Sequence, residues 1–233
     1  MRFLALYLRS PMQSWGASSK FGVRGTSDIP TKSGLIGLLG AACGIDRSDD
    51  QWVHRASQLE LSLYVFRRGE RLRDYHTVGA RYSKKDSWES RMIPLSAENK
   101  PRGTDVTNRY YLQDSVYGAI FAGEDDRLIE QMAKGLENPV WGIWLGRKSC
   151  IPTEPVYAGT FDQMESGIEA LKERFRVSCR KDGSDNGTVP IAFTVTEARA
   201  DDENDRIFDV PVSFAERTFR SRYVLRNFGS SGK

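Results

Sequence analysis

Histidine is scarce in this chain, with two in 233 residues. That leaves few side chains able to move protons near neutral pH. Cysteine is equally thin. Cys43, Cys150 and Cys179 are far apart, odd in number and form no CxxC pair. They suggest neither a disulfide framework nor a zinc site. There is no HExxH, no clustered acid set for two metals and no nucleophile elbow, so the common hydrolytic signatures are missing. The phosphate-cradling pattern GxxxxGK[ST] is also missing, which argues against ATP binding. No metal and no cofactor are expected. No run of 18 apolar residues occurs, so no membrane span is expected. The apolar start is too short for a signal peptide and lacks a small-residue cleavage site. The expected location is the cytoplasm.

What the chain has is an ordinary globular composition and an uneven charge. Hydrophobic residues make up 39% and charged residues 28%, enough for a sizeable core. Net charge is only +3. Residues 1–123 carry 18 Lys/Arg against 12 Asp/Glu, whereas 124–233 carry 16 against 19. Residues 67–109 alone hold 11 bases and 6 acids. A polyanion responds to such a local field whatever the total charge. A solvated, lysine-rich surface has the same composition.

Residues 3–9 alternate as a strand, stopped by Pro11. Residues 11–16 read as a loop and 17–30 as an irregular stretch. Residues 31–44 read as a helix, with Thr31 or Ser33 as N-cap and Gly44 as the stop. Gly34, Gly37 and Gly40 recur every three residues along one side, the spacing of close packing against a sheet. Strands are expected at 60–66, 72–78, 109–114, 116–122 and 140–145, with a helix at 125–136. Residues 80–107 are polar and broken by Pro94, Pro101 and Gly103, a long stretch for a loop, and read as a protruding β-ribbon insertion. The order strand, helix, strand, insertion, strand, helix, strand is that of a ferredoxin-like (RRM-like) fold. Beyond 151, short strands at 175–179, 191–195, 207–212 and 223–225 suggest a small, mostly β C-terminal domain. The expected class is α+β, with domains at 1–151 and 152–233.

Several features would serve RNA. Lys32-Ser33-Gly34 opens a helix, and free N–H groups there suit a phosphate. Gly146-Arg147-Lys148-Ser149 is a glycine turn with two cations and a hydroxyl, able to cradle a bent phosphodiester. Aromatics and cations interleave at Arg71–Val78 and at Arg109-Tyr110-Tyr111, as in single-strand binders. Each has a plainer reading, as a solvated surface or as core aromatics. Trp15 and Trp52 are open in the same way. The stretch Arg217–Tyr223 is basic and could meet RNA or an acidic partner. His76, with Tyr75 or a lysine, is a candidate acid–base group, although nothing in the sequence fixes that geometry.

Four blocks carry a resemblance. They are Pro11-Met12-Gln13-Ser14-Trp15-Gly16, residues 30–41 from Pro30-Thr31-Lys32 onward, Leu72-Arg73-Asp74-Tyr75-His76-Thr77-Val78, and Leu145-Gly146-Arg147-Lys148-Ser149-Cys150. In order and spacing they resemble the CasD family of type I-E Cascade subunits, within the RAMP superfamily of CRISPR proteins. The resemblance implies a ferredoxin-like domain with a thumb at about 79–112. It implies a non-catalytic subunit that binds the 5′ handle of a CRISPR RNA. The neighbours it implies are the backbone subunit and the large PAM-sensing subunit, with target DNA met only through the complex. The RNA-contact set expected on this basis is Gln13, Trp15, Arg24, Lys32, Ser33, Arg73, Tyr75, His76, Arg81, Arg109, Tyr110 and the turn Gly146–Ser149. In the related type I-C system the equivalent subunit is a metal-independent endoribonuclease. Cleavage of repeat RNA through His76 and Tyr75 is therefore the alternative. A third reading is a DNA-facing module.

Overall fold

The computed structural model describes residues 1–16, 19–20, 22–78, 105–183, 189–201 and 204–228. Arg81 and most of the expected thumb lie outside these residues.

The core begins with β1 (Arg2–Arg9), whose residues Leu4 to Leu8 are fully buried. A strand buried on both faces must be covered on both, and this one is. Leu4, Leu6 and Leu8 enter one apolar cluster, while Ala5 and Tyr7 enter another. The same alternation runs through β5 (Glu60–Arg67) and β8 (Val116–Gly123). Helices α1 (Lys32–Cys43), α2 (Asp50–Gln58) and α3 (Asp126–Glu137) lie on the first face. Helix α4 (Met164–Asp182) covers the second, through Leu171, Phe175 and Cys179. Each fully buried leucine or phenylalanine contributes about 1.5–3 kcal/mol.

The main sheet has seven strands in the order β11-β12-β10-β5-β8-β1-β9, every pair antiparallel. Its remaining members are β9 (Tyr157–Phe161), β10 (Phe193–Ala198), β11 (Asp205–Ser213) and β12 (Thr218–Phe228). The C-terminal strands continue the same sheet through the pairing of β10 with β5.

A smaller sheet joins β2 (Met12–Gln13), β3 (Ser19–Lys20), β4 (Val23–Arg24), β6 (Glu70–Val78) and β7 (Asp105–Gln113). Strands β6 and β7 pair over their whole length, from Glu70 opposite Gln113 to Val78 opposite Asp105.

Two expected strands are not strands. Residues 140–145 form an irregular strap instead. The Val140 and Trp141 N–H groups donate to the Ala42 and Ala41 carbonyls at the end of α1, so they are unavailable to a sheet. The place beside β1 is taken by β9. Residues 175–179 belong to α4. Their apolar groups continue a spacing of four from Leu171, which is the helical period.

Helix α1 follows its expected bounds. The Thr31 hydroxyl accepts from the Gly34 N–H, and Gly44 ends the helix at φ 70°. Its glycines meet aromatic rings rather than a sheet. A Cβ on Gly34 would lie 3.0 Å from the Trp15 ring, and one on Gly40 3.4 Å from Trp52. No helix among the described residues is long and apolar enough to cross a membrane.

Candidate nucleic-acid interface

A groove of about 650 Å³ runs between the start of α1, the turn at 142–147 and the β11–β12 hairpin. Glycine dominates its walls, with Gly16, Gly25, Gly34, Gly37, Gly142 and Gly146 all present. Glycine lets a ligand approach the backbone closely. The aromatic side is Trp144, Phe214 and Phe219. The basic side is Arg24 and Arg147.

The turn depends on Gly146. Its φ is +99°, and a Cβ there would collide with the Ser14 carbonyl. The Ser14 N–H donates to the Leu145 carbonyl at 3.1 Å, and the Cys150 N–H to Arg147 at 2.8 Å. These bonds hold the turn against the 11–16 loop. Burial pushes the Cys150 thiol above its ordinary pKa, so it stays protonated.

Arg147 is committed to the protein. It donates to the carbonyls of Tyr110 at 3.1 Å and Arg24 at 2.8 Å. Its guanidinium sits 4.6 Å from the centre of the Tyr111 ring. It ties the turn to the ribbon and shapes the basic wall. Lys148 and Ser149 are exposed, with the Lys148 ammonium 5.7 Å from the Trp144 ring.

The start of α1 differs from its sequence-based expectation. Lys32 is 2% exposed and its ammonium donates to Glu197 at 2.6 Å. Its backbone N–H donates to Asp209 at 2.8 Å. A carboxylate therefore already occupies the place foreseen for a phosphate. Asp209 also takes two bonds from Arg222, at 2.7 and 2.9 Å, and Arg222 reaches Glu197 at 3.5 Å. Burial holds the Lys32 pKa below its ordinary value, against the pull of Glu197. Two cations and two anions thus close a buried network between α1 and the C-terminal strands.

Gln13 and Trp15 are also internal, each 0% exposed. The Gln13 amide donates to the Leu8 and Ser115 carbonyls and accepts from the Trp15 indole. With Lys32, these residues have no free face for RNA. Their part is to shape the floor, where Trp15 lies beneath Gly34. Ser33 lines the groove and is half-buried.

The ribbon separates the remaining candidates by strand alternation. Asp74, Arg109 and Arg24 lie in register across three strands, so they share one face, with His76 opposite Thr107 in the same set. Arg73, Tyr75 and the Tyr110 side chain belong to the other face. Tyr75 is 62% exposed, and Arg73 donates to Asn108 at 2.9 Å. Tyr75 and His76 therefore point to opposite sides.

The sequence analysis did not single out Trp144, and it read Phe219 only as part of the basic stretch Arg217–Tyr223. The glycines flanking Trp144, at 142 and 146, were the available signal.

The family described as CRISPR-associated protein (Cas_Cas5) matches residues 3–225. The chain belongs to this Cas5 family. The CRISPR system Cascade subunit CasD of Escherichia coli (strain K12) is 35% identical over 172 residues, covering 68% of this chain and 70% of that protein. A solved structure titled "CRISPR RNA-guided surveillance complex" contains a chain that is 28% identical. It matches with a TM-score of 0.72 over 97% of this chain and 90% of its own. Another, titled "Crystal structure of Cas protein", is 28% identical with a TM-score of 0.66 over 97% and 94%. This Cas5 chain shares their mixed α+β build of mostly antiparallel sheets.

Proposed function

We propose that this chain is a non-catalytic subunit of a Cascade-type complex, and that its groove holds the 5′ handle of a CRISPR RNA. The observation that carries the reading is the groove itself, which combines backbone accessible at glycines, three aromatic faces and a basic rim. Rings stack on bases while cations meet phosphates, a combination suited to single-stranded RNA. Likeness to a Cascade subunit and to a chain of an RNA-guided complex supports the same partner. The phosphate contacts fall to Arg24, Arg109, Lys148 and Ser149, and the thumb to residues 79–112. Neighbours in the complex would be the backbone and large PAM-sensing subunits, in the cytoplasm.

The fold reading belongs with this proposal. Strands β1, β5, β8 and β9, taken as first to fourth, lie in the order 4-1-3-2. That antiparallel order, with helices in the two crossovers, supports a ferredoxin-like reading of the fold. Cleavage by Tyr75 and His76 together is disfavoured by their opposite faces, because an acid–base pair must reach the same scissile site.

The test is co-purification of the full chain with its sister subunits. A discrete RNA should come with the complex. Arg24→Ala with Lys148→Ala should lower RNA retention at physiological salt while the chain stays folded. Unchanged RNA binding by the double variant would remove the groove as the site.

A further inference from the structure

Behind the groove lies a second cavity of about 340 Å³. Gly37 and Gly40 of α1 form its base, Trp52 and Trp141 its walls, and Arg47 stands at its side. Gly37 and Ala41 of α1 and the Phe214 ring line both cavities. Phe214 is the one aromatic they share, standing between them over the helix. That ring rests on α1, where a Cβ on Gly37 would lie 3.7 Å from its tip.

Phe214 is held firmly. Arg47 donates to its carbonyl at 3.2 Å, and the Glu216 N–H donates to the Ser213 hydroxyl at 3.2 Å. Arg217 closes the turn at φ 57°. Asp46 also lines this cavity, but its carboxylate accepts from the Ser48 N–H and hydroxyl, at 2.9 and 2.6 Å. Among the described residues Arg47 forms no ion pair, and its guanidinium donates to the Phe214 carbonyl, so its charge stays open to an anion. Trp141 is 47% exposed. The second cavity has one exposed ring, Trp141, on its wall, with Ile45 and the buried Trp52 and Val53 behind it. Its volume suits one planar base rather than a length of chain, and a cation stands beside it. It adjoins a groove whose rim is basic.

Resting on the reading that the groove holds RNA, we propose that Phe214 is a wedge between two successive bases of the bound strand. One base stays in the groove on the Trp144 side. The next enters the second cavity against the exposed Trp141 ring. Arg47 meets the phosphate that joins them. The division by a single ring decides for a nucleic acid over a protein side chain, because a strand can place one base on each side while its backbone crosses above. Stacking of the second base on a ring contributes about tenfold in affinity.

The test uses the full chain and synthetic handle RNAs, each with two adjacent 2-aminopurines, moved one step at a time from the 5′ end. A stacked pair gives an exciton circular-dichroism signal, and a parted pair loses it. At one step, binding should abolish the signal. Phe214→Leu, which keeps apolar volume against Gly37, should restore it at that step and weaken binding about tenfold at an unchanged melting temperature. Trp141→Ala should weaken binding by a similar factor, but not for an RNA made abasic at the second base. RNA that binds with no step sensitive to Phe214→Leu overturns the wedge alone. RNA binding intact in Trp141→Ala, with capture of a sister subunit lost, assigns the cavity to a protein side chain and also overturns it. RNA that does not bind the chain at all overturns the wedge and the groove reading together.

Discussion

The network beneath the β11–β12 hairpin and the rim of the adjoining groove are both rich in lysine and arginine, yet they use these residues in opposite ways. Under the hairpin, Lys32 and Arg222 are 2% and 7% exposed, and each meets a carboxylate. On the rim, Arg24 and Lys148 are exposed. Buried charge needs a partner because desolvation otherwise outweighs what burial gains. Exposed charge does not, and stays available to a phosphate. Arg147 stands between the two cases, bound to carbonyls rather than to acids. A cation in the sequence is therefore not evidence of an RNA contact until its carboxylate neighbours are known.

The comparison can be broken most forcefully at Asp209. Asp209→Ala leaves the buried Arg222 guanidinium with only its 3.5 Å contact to Glu197 and frees the first N–H of α1. Removing one member of a buried pair costs about 3–5 kcal/mol, and thermal or urea unfolding should show a loss of that size. A loss under about 1 kcal/mol would mean the network is solvated. Arg147→Ala comes next. Losing its carbonyl bonds and its ring contact should cost about 2 kcal/mol. Arg147→Lys should not restore it, because an ammonium cannot span the same fork of acceptors. Denaturant midpoints measure both variants.

Smaller stability effects should appear on the rim, where binding changes instead. Arg24→Ala and Lys148→Ala should each shift folding by no more than about 0.5 kcal/mol. Each should flatten the dependence of log K on log salt for RNA by about 0.7. Salt titrations of binding would show it, and an unchanged slope would return these residues to plain surface. The least effect is expected at His76. His76→Ala should leave both the melting temperature and RNA integrity in EDTA unchanged, and specific cleavage that the substitution abolishes would instead establish an endoribonuclease.

Local signals were readable in the sequence and distant ones were not. Helix α1 was legible because its Thr31 cap and Gly44 stop lie within the helix's own turns. The paired strands β6 and β7 were legible from alternation on both sides of the insertion. The strap at 140–145 has the composition of a strand, and only its bonds to Ala41 and Ala42 make it otherwise. Residues 175–179 satisfy both periods over five positions, and the longer run from Leu171 decides for a helix. Gln13 was placed at the interface because its partner Ser115 lies 102 positions away. Lys32 was misplaced for the same reason, with Asp209 177 positions distant. Trp144 reached the groove through a turn whose shape rests on Gly146 against Ser14.

Ultraviolet crosslinking of the intact complex to its own RNA, read by peptide mass spectrometry, bears most directly on the groove as the RNA site. Crosslinks should concentrate on Trp144, on Phe219 and on the peptide around Lys148. Crosslinks confined to the opposite side of the sheet, on peptides from Met164–Asp182, with none from the groove, would contradict it.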